Sequence, residues 1–136
     1  MAIRYLLDTN IASYIIKGHP LQVREWLVRV PMSEVGISAV TEAELRFGAE
    51  RSAAAKRVKA ALAEFLVRAE ILPWDSKAAQ CYATLRAALE DSGTPMANFD
   101  MMIAAQALAT GATLISHDRV FQRVRQLKIE DWTKAI

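Results

Sequence analysis

Apolar and polar positions alternate along the chain in two rhythms, and each change of rhythm marks an element. Residues 3–7 (IRYLL) are a short apolar run stopped by Asp8, which predicts a buried strand. Ile11, Ile15 and Ile16 then fall at helical spacing over residues 10–17, closed by Gly18, and Pro20 opens a second helix through Leu21, Trp26, Leu27 and Val30. A second strand is predicted at 35–38 and a helix at 41–50. The helix over 53–69 puts Val58, Leu62, Phe65 and Leu66 on one face. A third strand follows at 71–74. Asp75 or Ser76 caps the next helix, with Ala78, Tyr82, Leu85 and Leu89 inward and Gly93 at its end. Residues 99–110 are apolar almost all round, which predicts a helix buried between layers and stopped by Gly111. A fourth strand at 112–116, a short helix at 119–125 and an edge strand at 129–132 complete the pattern.

Strands alternating with helices, without repeats or long linkers, predict a single α/β domain over residues 1–136. The expected architecture is three-layer α/β/α around a mainly parallel sheet of four or five strands. In such a sheet ligands bind beyond the carboxyl ends of the strands, where the strand order switches.

Composition narrows the possibilities. At 136 residues and 53% hydrophobic the chain can bury a real core. Its apolar runs fall short of the roughly 20 residues a membrane span needs, and no export signal is evident, so a cytoplasmic protein is expected. The single Cys81 rules out an internal disulfide or a cysteine-rich zinc site and is expected to be a small buried helix residue. Phosphate-loop, dinucleotide and GxSxG motifs are missing. Trp26, Trp74 and Trp132 are not spaced as a stacking platform, and His19 and His117 read as loop residues.

Acidic residues change the picture. Asp8 follows the first strand and Asp118 the fourth. Glu44 lies in the first turns of the helix after the second strand, and Asp100 in the first turn of the buried helix that leads into the fourth. All four are expected at one rim of the sheet. Each also has a local explanation: Asp100 favours a helix N-terminus, Asp118 caps the next helix, and Glu44 is a surface residue with Glu42 as its competitor. Asp8 is hardest to explain locally, because a carboxylate against buried strand ends is desolvated. Gathered together, four carboxylates repel unless cations answer them, and no Lys or Arg stands beside them in these segments. Hard divalent ions, Mg²⁺ or Mn²⁺, suit an open site of oxygen donors. The 17 Lys and Arg would then rim the pocket, a layout suited to a polyanion.

Four segments carry a family resemblance: LLDTN at 6–10, SAVTEAELRFGAE at 38–50, TPMANFDMMIAAQALATGATLISHD at 94–118 and IEDW at 129–132. Together they resemble the PIN domain, and more narrowly the VapC-type toxins of bacterial toxin–antitoxin pairs. The resemblance implies a Mg²⁺- or Mn²⁺-dependent endoribonuclease, a homodimer, held inactive by a VapB-like antitoxin whose arginine enters the acidic pocket. It also implies RNA as substrate, with tRNA, and initiator tRNA in its anticodon region, as the leading expectation. By its pattern Asp8, Glu44, Asp100 and Asp118 are the catalytic acids, and Thr9, Asn10 and Ser116 accompany them. Asp8, Asp100 and Asp118 would hold metal, while Glu44 binds through water or orients the attacking water. Where many relatives carry a glycine-proline lead-in before the third acid, this chain has Ala97-Asn98-Phe99, which leaves that helix cap open.

Among the basic residues Arg46, Arg51, Lys56, Arg57, Arg86 and Arg119 are candidates for the rim, with Arg46, Arg86 and Arg119 expected on substrate. Two rival classes stand beside the ribonuclease: a nuclease-shaped module that grips RNA or a partner without catalysis, and a metal-dependent nuclease acting on DNA.

Overall fold

The computed structural model describes residues 2–136. Its elements run β1 (Tyr5–Leu7), α1 (Thr9–Lys17), α2 (Leu21–Leu27), β2 (Val35–Ser38), α3 (Ala39–Arg51), α4 (Ala55–Arg68), β3 (Glu70–Leu72), α5 (Ser76–Asp91), α6 (Asn98–Thr110), β4 (Thr113–Ile115) and β5 (Ile129–Glu130). The short helices at Met32–Glu34 and Arg119–Arg123 are 3₁₀. All five strands are parallel, in the order β3-β2-β1-β4-β5. The expected layered α/β architecture therefore holds, with β1 at the centre and five strands.

Alternation along the strands makes the layers. Leu6 and Leu114 turn to one side, into a core with Leu85, Leu89, Met101, Ile103 and Phe121 from α5, α6 and the last 3₁₀ turn. Leu7 and Ile115 turn to the other, into a core with Ile11, Val23, Phe65 and Trp132. Both sheet faces are covered, which is why the strands read as unbroken apolar runs. Helix α6 is largely buried for the same reason: Met101 and 103–107 are all buried, the one polar residue among them, Gln106, donating from Nε2 to the Pro73 carbonyl at 2.8 Å.

Local chemistry sets the ends. Asp75 Oδ1 accepts from the Ala78 amide and caps α5, and Gly18 and Gly111 end α1 and α6 in the left-handed conformation. Helix α6 starts at Ala97 without a side-chain cap. The strands are shorter than the apolar runs. Pro73, with no N–H to give, follows the last residue of β3, and Trp74 leaves the sheet to donate to the Met102 carbonyl at 2.9 Å. The second helix stops at Leu27 rather than Val30, and the segment after Asp118 is a 3₁₀ turn. Cys81, expected to be buried, is only half-buried, on the side of α5 that borders a shallow depression with Gln80, Thr84 and Leu108.

The C-terminal segment is clamped to the sheet by aromatics. Trp132 is fully buried, stacked on Trp26 at 6.3 Å and tilted against Tyr5 at 5.7 Å, and Trp26 Nε1 donates to the Lys134 carbonyl at 2.8 Å.

Gly36 sits where β2 passes between its neighbours. A Cβ there would meet Ile3 Cγ2 at 3.1 Å and the Glu70 carbonyl oxygen at 3.2 Å. Gly36→Ala is expected to cost about 1–3 kcal/mol. The check is urea unfolding: a lower midpoint at unchanged slope is expected, and an unchanged midpoint would show that the strands can part to admit the methyl.

Candidate active site

Four elements bring the acids together at the carboxyl edge of the sheet. Asp8 is the residue after β1, and its amide still donates to Ile115 of β4 at 3.0 Å. Its side chain caps α1, accepting from the Ile11 amide at 2.9 Å, with only 4% of the residue exposed. Asp118 comes three residues after β4, and α6 approaches antiparallel to β4, so Asp100 in its first turn reaches the same edge. Helix α3 leaves β2 at this edge and carries Glu44 on its second turn. This is the point where the chain order of the strands diverges from β1, toward β2 on one side and β4 on the other.

Charge interactions tie the four together. Burial pushes the Asp8 carboxyl up to about 6, with Asp100 and Asp118 adding to the rise, while the Ser116 hydroxyl and the Ile11 amide pull the other way. Asp100 is also raised, by burial first and then by Asp118 and Glu44. Among the described residues none of the four acids is in an ion pair; the cations that pair do so elsewhere.

Polar neighbours position the carboxylates. Thr9 Oγ1 donates to Glu44 Oε1 at 2.6 Å and lies 3.3 Å from Thr41 Oγ1. Thr41 is fully buried one helical turn before Glu44, a supporting residue that sequence reasoning missed although its spacing puts it on the same face. Glu42, the competing acid, pairs with Arg46 at 2.8 Å instead. Ser116 Oγ accepts from the Asp118 amide at 3.0 Å, and Asp118 Oδ1 accepts from Val120 at 2.9 Å. Asp118 is thus a cap and a member of the acid group at once. Asn10 is exposed at the rim.

The basic residues expected on substrate separate. Arg46 is held by Glu42 and lines a different groove, between α3 and α4. Arg86 is held along α5 by Glu90 at 2.9 Å and the Tyr82 hydroxyl at 3.0 Å. Of these three only Arg119 shares a cavity with one of the four acids, Asp118, while Arg57 of the wider rim shares one with Glu44.

A match to the PIN domain covers residues 5–127. The chain belongs to the PIN-domain family. Within that family it is 37% identical over 131 residues to the tRNA(fMet)-specific endonuclease VapC of Salmonella typhimurium, covering 96% of this chain and 98% of that protein. It is 35% identical over 132 residues to Ribonuclease VapC2 of Rickettsia felis, again covering 96% and 98%. Among solved structures, the DNA-bound VapBC of Salmonella typhimurium superposes with a TM-score of 0.90 at 37% identity, covering 96% of this chain and 98% of that one. The four acids of this PIN domain offer oxygen donors. Among its described residues no three acids, histidines or cysteines close into a ready-made cage for an ion. Carboxylate oxygens are the donors that Mg²⁺ prefers.

The raised carboxyl of Asp8 makes a prediction about stability. Below about pH 4 it is protonated whether the chain is folded or not; between about pH 4 and 6 the unfolded chain ionises while the folded state resists, so stability is lost over that window and the loss is complete above it. Without divalent metal, Asp8→Asn, which keeps an N-cap, is therefore expected to be more stable than the parent at pH 7. With one pH unit corresponding to about 1.4 kcal/mol, the gain is on the order of 3 kcal/mol and vanishes near pH 4. Urea unfolding in EDTA at both pH values tests it; a variant less stable than the parent at pH 7 contradicts it.

Proposed function

We propose that this protein is a metal-dependent endoribonuclease, the toxin of a toxin–antitoxin pair, that hydrolyses a phosphodiester of RNA. The observation that carries the reading is the buried Asp8 beside Asp100 and Asp118 at the strand ends, with Glu44 acting on Asp100. Near-complete coverage by relatives named as ribonucleases supports it.

Asp8, Asp100 and Asp118 are the residues that would hold Mg²⁺ or Mn²⁺. A buried carboxylate with no cationic partner is costly, and a divalent cation is the group that answers it. The chemistry such an ion supplies when bound is acidification of water and neutralisation of charge on the phosphate. Glu44 orients the attacking water: Thr9 occupies its Oε1 and so fixes the carboxylate plane, leaving Oε2 to accept a proton. Ser116 holds the Asp118 backbone in place, and Asn10 borders the entrance. With water rather than the ribose 2′-hydroxyl as nucleophile, the products carry 5′-phosphate and 3′-hydroxyl ends.

The substrate we propose is tRNA, with the initiator tRNA as first candidate, in line with the name of the Salmonella relative. The partner we propose is a VapB-like antitoxin that supplies a cation to the acid edge, since the solved neighbours from Salmonella and Rickettsia are VapBC complexes. A homodimer operating in the cytoplasm completes the proposal; no helix is long and apolar enough to cross a membrane among the described residues.

Purified protein without antitoxin is expected to cut total tRNA at discrete sites with Mg²⁺ or Mn²⁺, and not in EDTA. Asp8→Asn should abolish the cuts, and Glu44→Gln should slow them by about a hundredfold or more. Intact RNA in every lane from folded protein, or full activity in Asp8→Asn, would refute the assignment. Cleavage of DNA alone would transfer the same site to a different substrate. In the same preparation, Mg²⁺ is expected to raise the melting temperature of the parent and to leave that of Asp8→Asn unmoved.

A further inference from the structure

Two open clefts flank the acid edge, and they differ in character. One, between α1, α3 and α4, holds Glu44 and Thr9 with Lys17 and Arg57 over a floor of Ile16, Leu45, Val58 and Leu62. The other, of about 540 Å³, is lined by Asn10, Tyr14, His117, Asp118 and Arg119. Its lining holds no aliphatic residue.

Three features of the second cleft point to one kind of ligand. Arg119 is exposed and forms no ion pair among the described residues, so its guanidinium is free to meet a phosphate. Tyr14 is half-buried, packed against the α1-side core and lining the cleft. His117 is fixed from behind: Nδ1 lies 2.8 Å from Asp131 Oδ2 and 3.1 Å from Thr133 Oγ1. Asp131 is itself held by the Thr133 hydroxyl at 2.6 Å and the Thr133 amide at 2.9 Å. That clasp commits Nδ1 and leaves Nε2 for a ligand in the cavity.

From this lining we infer that the cleft is a nucleotide subsite, which takes the single-stranded RNA nucleotide adjoining the scissile phosphate. Arg119 contacts its phosphate, the Tyr14 ring stacks on its base, and His117 Nε2 bonds to a sugar or phosphate oxygen. Asp118 belongs to both the subsite wall and the acid edge, so a nucleotide seated here delivers its neighbouring phosphate to the acids. The inference rests on the ribonuclease reading and deepens it.

The test pairs kinetics with binding. Arg119→Ala, at an exposed position, and Tyr14→Leu, which keeps apolar volume but removes the aromatic face, are compared with Tyr14→Phe. Arg68→Ala, an exposed cation at the far end of α4, controls for lost charge. In tRNA cleavage, KM is expected to rise about five- to tenfold for Arg119→Ala and Tyr14→Leu with kcat within about twofold of the parent. Tyr14→Phe and Arg68→Ala should match the parent. In an Asp8→Asn background, anisotropy of a short fluorescent single-stranded oligoribonucleotide should weaken in step, and Arg119→Ala should lower the slope of log Kd against log salt by about one. Normal cleavage and binding by both variants of an active enzyme would overturn the subsite and leave the ribonuclease reading intact. A loss confined to kcat would also overturn it. Failure of the parent to bind or cut RNA would remove both.

Discussion

Asp8 is held at the carboxyl end of the central strand by bonds on both sides of its Cα: its amide joins β4, and its carbonyl and carboxylate begin α1. It cannot move into water without breaking the cap or the ladder. Its charge therefore stays in a desolvated place, beside two further aspartates, and its carboxyl is displaced to about 6. Every other part of the site answers that constraint. The threonines and serine fix the surrounding acids by hydrogen bonds rather than by ion pairs, so the negative potential is kept instead of being neutralised internally.

The scaffold makes the constraint bearable. Two separate cores press on the sheet from opposite faces, and the paired aliphatics Leu6 and Leu7 divide between them. Any shift of β1 that relieved Asp8 would disturb both cores, and close packing resists that. The C-terminal segment plays the same part at the other edge. Trp132 anchors it between Tyr5 and Trp26, and the adjacent Asp131 reaches back to His117 beside Asp118. Burial raises and the Thr133 and His117 contacts lower the Asp131 carboxyl, the contacts prevailing, so this acid stays ionised and bound. Packing far from the acids thus fixes the loop that carries one of them.

Much of the architecture was legible because the signals are local. Gly18, Gly111 and Asp75 act through their own backbone or the next turn, and strand alternation needs no knowledge of neighbours. The strand ends were less legible: the apolar residues Ile3, Trp74 and Trp132 lie beyond the ladder, because burial demands hydrophobicity where no strand is available to pair. Cys81 was misplaced for a related reason. A small apolar residue on a helix does not reveal whether the neighbouring element covers it.

The sequence by itself determined the order of the elements, the buried character of α6 and the four acids at strand ends and helix starts, because each depends on residues within a turn or two of one another. It also carried the PIN-domain segments. Tertiary structure alone decided which polar side chains meet. Thr9 and Thr41 are 32 positions apart, and His117 and Asp131 are 14 apart. Arg46, Arg86 and Arg119 look alike in the chain, yet two are committed to acids on their own helices and one faces the cavity. The two helix pairs are four residues apart, a spacing the sequence carries, but the long-range hydrogen bonds leave no such trace, and their partners exist only once the sheet has brought its strand ends together.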